Sequence, residues 1–128
     1  MKTMLRLASE RDSLSVVSDQ IGTPTHAVDL AETLMTMIAF CHAEPVEVSC
    51  FGIYNFSNEG QCSWYDFAQK IFEVNNVSVT VNPIPTTSYP TPAKRPKYSV
   101  LDKTKIKKVF GLDIKKWEQA LQPFPFEQ

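Results

Sequence analysis

The stretch FGIYNFSNEGQCSWYDFAQKIF, from Phe51 to Phe72, constrains the fold more than any other part of the chain. Its apolar run Phe51 to Phe56 reads as a short strand, Ser57-Asn58-Glu59-Gly60 as a tight turn, and Ser63 as the start of a helix. Ser63 can cap that helix, and Asp66 can reach back to the Ser63 amide to complete a capping box. Trp64, Phe67, Ala68, Ile71 and Phe72 then recur at helical spacing, so one face of the helix is apolar and must be covered.

The 128 residues amount to one domain, long enough to bury about two thirds of the surface its unfolded form exposes. Disulfides are therefore not needed for folding. The three cysteines, Cys41, Cys50 and Cys62, are odd in number, lack C-x-x-C spacing and lie in or beside apolar segments. They read as small core residues of a reducing compartment, and no metal site is expected. No apolar run approaches the roughly 20 residues needed to cross a bilayer, and the start of the chain has no signal-peptide layout. A cytoplasmic protein without a membrane partner is expected. The net charge of −1 argues against strong nonspecific nucleic-acid binding, yet nine of the thirteen basic residues lie at or beyond Lys94.

Met1, Met4, Leu5 and Ala8 predict a helix that begins without a capping residue, as if entered partway, so a longer polypeptide with its missing part upstream is expected. Ser13 to Val17 reads as a strand. The segment from Ser18 to Thr25 breaks regular pattern: Gly22 and Pro24 punctuate it, and five polar groups crowd ahead of a helix, where free amides favour anions. Ligand loop and plain turn both remain open on composition alone. Ala27, Leu30, Ala31, Leu34, Ile38 and Cys41 predict a long helix, with Met35 and Met37 as gap-filling core and Pro45 as its end. His26 and His42 are solitary; His42 suits the negative end of a helix dipole, and neither is expected to bind metal or catalyse.

Val77, Val79 and Val81 alternate with polar residues as in a half-exposed strand. Pro83, Pro85, Pro90, Pro92 and Pro96 should break it and send the chain extended over the surface. In that arm stands Ala93-Lys94-Arg95-Pro96, where a guanidinium on a proline-stiffened backbone suits a phosphate; a solvated basic loop is the alternative. Asp102 should cap a helix carrying Ile106, Val109 and Phe110 inward and Lys103, Lys105, Lys107 and Lys108 outward, with Gly111 as its stop. Asp113 should cap another, with Ile114, Trp117 and Leu121 on one face. The tail Pro123 to Phe126 is not helical, and its phenylalanines either fold back or meet a neighbour. A small α/β domain of α+β-like character follows, with several short strands and at least four helices. The glycines at 22, 52, 60 and 111 are too scattered for G-x-G-x-x-G. No Tyr-x-x-x-Lys, nucleophile set or carboxylate pair stands out, so no catalytic residue is expected.

Three ordered motifs resemble the C-terminal part of the dTDP-4-dehydrorhamnose reductase family: Asp19 to Thr25 with Asp29-Leu30-Ala31, Gly52 to Ala68, and Ala93-Lys94-Arg95-Pro96 with Ser99 to Asp102. The resemblance implies the substrate-binding domain, over residues 1–128, of an extended short-chain dehydrogenase/reductase. Such enzymes reduce a dTDP-linked 4-keto-6-deoxysugar to dTDP-L-rhamnose with NADPH or NADH. It also implies that the dinucleotide and a catalytic Tyr-x-x-x-Lys pair belong to a Rossmann domain absent from this chain, so that the chain alone is inactive and holds no cofactor. Arg95 matches the arginine that related enzymes direct at the diphosphate; Gln20, Gly22 and Thr23 are the next candidates for the substrate pocket. Trp64 and Tyr65 are left to packing, and His26 stands where the family often has an aromatic. The expected partners are the nucleotide-sugar, the Rossmann domain and possible further copies, with an apolar patch exposed where the Rossmann domain docks. Two other readings remain: a non-catalytic subunit like the methionine adenosyltransferase β subunit, and a nucleic-acid surface formed by Lys94 to Lys116.

Overall fold

The reciprocal cap at Ser63 forms as its sequence requires. Asp66 N donates to Ser63 Oγ at 3.1 Å and Ser63 N donates to Asp66 Oδ2 at 2.9 Å. The helix it starts carries Ala68, Ile71 and Phe72 into a core. The structure, a computed structural model, describes residues 1–43 and 50–122. In chain order the elements are α1 (Lys2–Glu10), β1 (Ser13–Val17), β2 (Ile21–Gly22), α2 (Ala27–Ala43), β3 (Cys62–Ser63), α3 (Trp64–Val74), β4 (Thr80–Ile84), α4 (Thr104–Phe110) and α5 (Trp117–Ala120), with a 3-10 turn at Thr86–Ser88. The mixed helices and short strands agree with the α/β, α+β-like expectation. The chain divides into two compact units: Met1–Gly22, Gln61–Val100 and the residues from Leu121 onward form the first, and Thr23–Gly60 with Leu101–Ala120 the second.

In the first unit β1 and β4 pair in parallel, from Ser13 opposite Thr80 to Val17 opposite Ile84. Parallel neighbours need a crossover, and α3 precedes β4 in that role. Leu14 and Val16 point inward while Ser13 and Ser15 face solvent, the alternation of a strand covered on one side. Leu5 of α1 and Ala68, Ile71 and Phe72 of α3 complete the core, with Val77, Val79 and Val81 packed against it. The strand expected around Val77 to Val81 starts later and runs through Pro83, which sits opposite Val16. β4 has only β1 beside it among the described residues, so Pro83 needs no second ladder partner. Ile21–Gly22, expected to be irregular, forms β2 and pairs with Ser63–Cys62 of β3.

The second unit gathers Cys50, Ile106, Phe110 and Ile114, with Met37, Phe40, Tyr54 and Phe56 packed around them. Phe110 meets the rings of Phe40 and Tyr54 edge-on at 5.3 and 5.1 Å. Gly111 ends α4 at φ 62°, as its sequence position suggests. Several expectations change here. Phe51 to Phe56 forms no strand, and Phe51 and Ile53 are 87% and 88% exposed. α2 turns Thr33, Met37 and Phe40 inward and leaves Leu34, Ile38 and Met35 outside, the last 65% exposed rather than filling a gap. The helix is apolar nearly all round, so its periodicity does not distinguish the two faces. α4 starts at Thr104, whose amide binds Asp102 Oδ1 at 2.9 Å, and Lys103 is buried instead of outward. α5 is only Trp117–Ala120, beyond the reach of Asp113 as a cap.

The cysteine reading is also corrected, because Cys41 and Cys50 form a disulfide with their Cα atoms 6.0 Å apart. That separation lies in the ordinary range for a bridge. The end of α2 and the start of the next described segment bring the pair together, which counting cysteines does not reveal. Cys62 is buried in the first unit. No helix among the described residues is long and apolar enough to cross a membrane. The Pro45 helix end and the fate of Phe124 and Phe126 lie outside the described residues.

Candidate functional site

In the first unit the polar loop after β1 is held by its neighbours on both sides. Ser18 N donates to Ile84 O at 3.0 Å. Asp19 Oδ1 accepts from Thr86 N at 2.8 Å and Thr86 Oγ1 at 2.5 Å, and Gln20 Nε2 donates to Thr86 Oγ1 at 3.0 Å. The Thr86 hydroxyl bond is the main reason the Asp19 carboxyl titrates below its ordinary range. Gln20 is half-buried, with its amide nitrogen engaged by Thr86.

Ile21 then clamps the basic arm. Its N–H donates to Lys97 O at 2.8 Å and its carbonyl accepts from Ser99 N at 2.9 Å, so Tyr98 pairs beside it. Tyr98 Oη also lies 3.1 Å from Gln61 Oε1. Gly22 is in this same clamp, where a Cβ would lie 3.0 Å from Ser99 Oγ and would need that side chain to give way. Arg95 stands two residues before the clamped segment, exposed, and has no hydrogen bond or ion pair among the described residues. The structure therefore brings Gln20, Gly22 and the root of the Arg95 arm together. Thr23 belongs to the second unit, where its hydroxyl donates to Gly60 O at 2.7 Å.

The second unit contains a polar cluster whose sequence reads only as a turn. Asn58 is fully buried: its Oδ1 accepts from His26 N at 2.7 Å, and its Nδ2 donates to Asp29 Oδ2 at 2.6 Å and Lys115 O at 3.4 Å. Lys103 Nζ donates to Asn58 O at 3.0 Å and Ser57 Oγ at 3.3 Å. Burial pushes the Asp29 carboxyl up, but Asn58, His26 and Lys115 outweigh it and hold the value low. Glu59 behaves alike, burial being outweighed by Lys107 at 3.0 Å and Lys103 at 3.6 Å. His26 therefore helps hold the start of α2, with its Nδ1 3.3 Å from Asp29 Oδ1.

Lys105 binds Ile53 O at 3.0 Å and lies over the Tyr54 ring at 4.5 Å. Lys103, Lys107 and Lys115 are engaged as well, so these four lysines bind groups of their own unit. Trp64, assigned to packing from its spacing, is 55% exposed. It is the first residue of α3, and a helical side chain leans toward the N-terminus, past the end of the face that covers the core.

Three of the four glycines, all among the described residues, are occupied by contacts or turns of their own. Gly22 is used for strand-to-arm contact, Gly60 packs against Trp117, and Gly111 stops a helix. None opens a helix as a phosphate cradle, so no part of this chain is assigned to NADP.

A mixed α/β domain that presents a charged arm beside a polar loop, with no dinucleotide cradle among its described residues, is of the ligand-binding kind. The chain belongs to the RmlD substrate binding domain family, whose model matches residues 1–125. A dTDP-4-dehydrorhamnose reductase from Aggregatibacter actinomycetemcomitans is 46% identical over 132 residues, covering 95% of this chain and 43% of that protein. A spore coat polysaccharide biosynthesis protein of Bacillus subtilis is 39% identical over 124 residues, covering 97% and 40%. The crystal structure of a dTDP-4-dehydrorhamnose reductase from Bacillus anthracis, in complex with NADP, matches with a TM-score of 0.82 at 40% identity, over 94% of this chain and 40% of that one. The chain spans about two fifths of the length of these relatives.

Proposed function

We propose that this chain is the dTDP-deoxysugar-binding part of a dTDP-4-dehydrorhamnose reductase, an NAD(P)H-dependent enzyme that forms dTDP-L-rhamnose. The chain's own task is to grip the nucleotide-sugar. Arg95 pairs with the diphosphate, Gln20 supplies its free carbonyl oxygen, Gly22 lets the arm approach the loop, and Thr23 lines the start of the following segment. The hydride donor and the catalytic Tyr-x-x-x-Lys pair belong to a Rossmann domain. The apolar residues exposed on α2, with Phe51 and Ile53, supply surface for that domain or for a further copy. The reductase names of the relatives favour this reading over a regulatory subunit.

The observation that carries it is an unpartnered guanidinium on an arm whose base is hydrogen-bonded to Ile21 on both sides. The planar fork of such a group gains charge-assisted bonds to a phosphate. Calorimetric titration of the chain with dTDP tests it. Binding is expected, and Arg95→Ala should weaken it by about 10- to 100-fold, the equivalent of roughly 1.5–3 kcal/mol. Equal affinity of the two chains would remove Arg95 from the site, and no binding to either would remove the substrate-binding role from the isolated chain.

A further inference from the structure

The two sulfurs of the Cys41–Cys50 disulfide lie in unlike surroundings. Cys41 is exposed near the C-terminal end of α2, whereas Cys50 is 8% exposed and packs with Ile106, Phe110 and Ile114. The bridge is one tie between α2 and the described residues that follow it, beside the shared packing of Phe40 and Tyr54 on Phe110. Asn58 holds the start of the helix through His26 and Asp29, and Cys50 holds its end. Between these ties the backbone from Phe51 to Phe56 forms no strand, and side chains brace it at isolated points, including Lys105 Nζ to Ile53 O.

We propose that Cys41 is a reversible S-thiolation site for low-molecular-weight thiols of the glutathione class, with Cys50 as the resolving thiol. Access selects the sulfur in thiol–disulfide exchange, and of the bridged pair Cys41 is the exposed residue and Cys50 the buried one. An incoming thiolate attacks Cys41 Sγ and forms a new S–S bond to it. The Cys41–Cys50 bond breaks, and Cys50 departs with the electron pair and takes up a proton. A second thiolate then attacks the outer sulfur of the mixed disulfide, releasing the oxidised small disulfide and the Cys41 thiolate. The two small thiols supply the two electrons, and both steps reverse when the small disulfide is in excess. Opening the bridge unties the end of α2 from Cys50 and loosens Phe51 to Phe56.

The experiment treats the reduced chain with oxidised glutathione and reads intact mass and a non-reducing peptide map. The wild-type chain should end with Cys41 joined to Cys50 and no glutathione retained. Cys50→Ser should retain one glutathione on Cys41, and Cys41→Ser should retain none at Cys50 until denaturant is added. The bridged chain should melt roughly 10 °C above the reduced one, as closing so short a loop implies, and hydrogen exchange of Phe51 to Phe56 should quicken on reduction. Should Cys50→Ser fail to fold, acid-quenched samples of the wild-type chain at limiting oxidised glutathione give the same readout through the transient adduct. Glutathione on Cys50 in native Cys41→Ser, a transient adduct on Cys50, or a wild-type chain that forms no bridge would each overturn the proposal.

Discussion

Asn58→Ala tests whether the buried polar cluster holds the second unit together. Asn58 is fully buried and uses both ends of its amide: His26 N donates to it at 2.7 Å, and it donates to Asp29 at 2.6 Å. Truncation leaves the His26 amide without its acceptor, at a cost of about 1–2 kcal/mol, and removes a charge-assisted bond from Asp29 worth about 1.5–3 kcal/mol. Asp29 retains His26 and Lys115 at 3.3 and 3.5 Å, so the lower ends of both ranges apply and the loss should be about 2.5 kcal/mol. That is a large share of a typical 5–15 kcal/mol total. In urea denaturation at neutral pH the midpoint should fall by about 1–1.7 M with an unchanged slope, for a slope of about 1.5–2.5 kcal/mol/M. Asn58→Asp sharpens the test by placing a second carboxylate against Asp29. Two such groups cannot both ionise, so one takes a raised folded-state pKa. The penalty is then greatest at neutral pH and eases as the pH falls toward 5. A loss below about 1 kcal/mol for Asn58→Ala, or an Asn58→Asp chain whose deficit is flat with pH, would refute the reasoning.

Two further predictions concern stability. Gly60 has φ 88°, and a Cβ there would lie 3.1 Å from Trp117 Cδ1; Gly60→Ala should therefore cost about 2 kcal/mol by thermal or urea melting, and an unchanged midpoint would contradict it. Asp19, Asp29, Glu59 and Asp102 titrate below their ordinary values of 3.8 or 4.5 in the folded chain. The unfolded chain therefore binds more protons in acid, so their stabilisation is full above about pH 5 and lost as pH falls through the lower folded values. Urea midpoints should decline from pH 5 to pH 3, and a flat or rising series would exclude these carboxylates as contributors.

What was legible in the chain was what short-range patterns encode. The Ser63–Asp66 cap, the inward Leu14 and Val16, and the glycine stop at Gly111 depend on residues a few places apart, and all three form. The polar loop at Gln20 and Gly22 and the proline-stiffened Arg95 arm were legible as separate features for the same reason. Their meeting was not, because it depends on Ile21 pairing with Tyr98 across a long stretch of chain. Asn58 read as a turn residue because its partners, His26, Asp29 and Lys115, are distant in sequence. Lys103 read as solvated because nothing beside it shows that Asn58 O and Ser57 Oγ await its ammonium. The Cys41–Cys50 bridge likewise depends on where a helix ends, which spacing alone does not give.

α2 shows why a periodic signal can be correct about an element and wrong about its orientation. The helix forms over Ala27–Ala43, yet its inward face is Thr33, Met37 and Phe40, while Val28, Leu34, Met35 and Ile38 are exposed. A helix that is apolar on both sides gains from a second covering surface, since each fully buried Leu, Ile or Met is worth about 1.5–3 kcal/mol. The inner face satisfies its own unit through Phe110 and Ile106. The outer one adds nothing to that core and stays exposed at Val28, Leu34, Met35 and Ile38. Phe51 and Ile53 are exposed in the same unit. Under the proposed function, contact with a Rossmann domain is what would cover this surface.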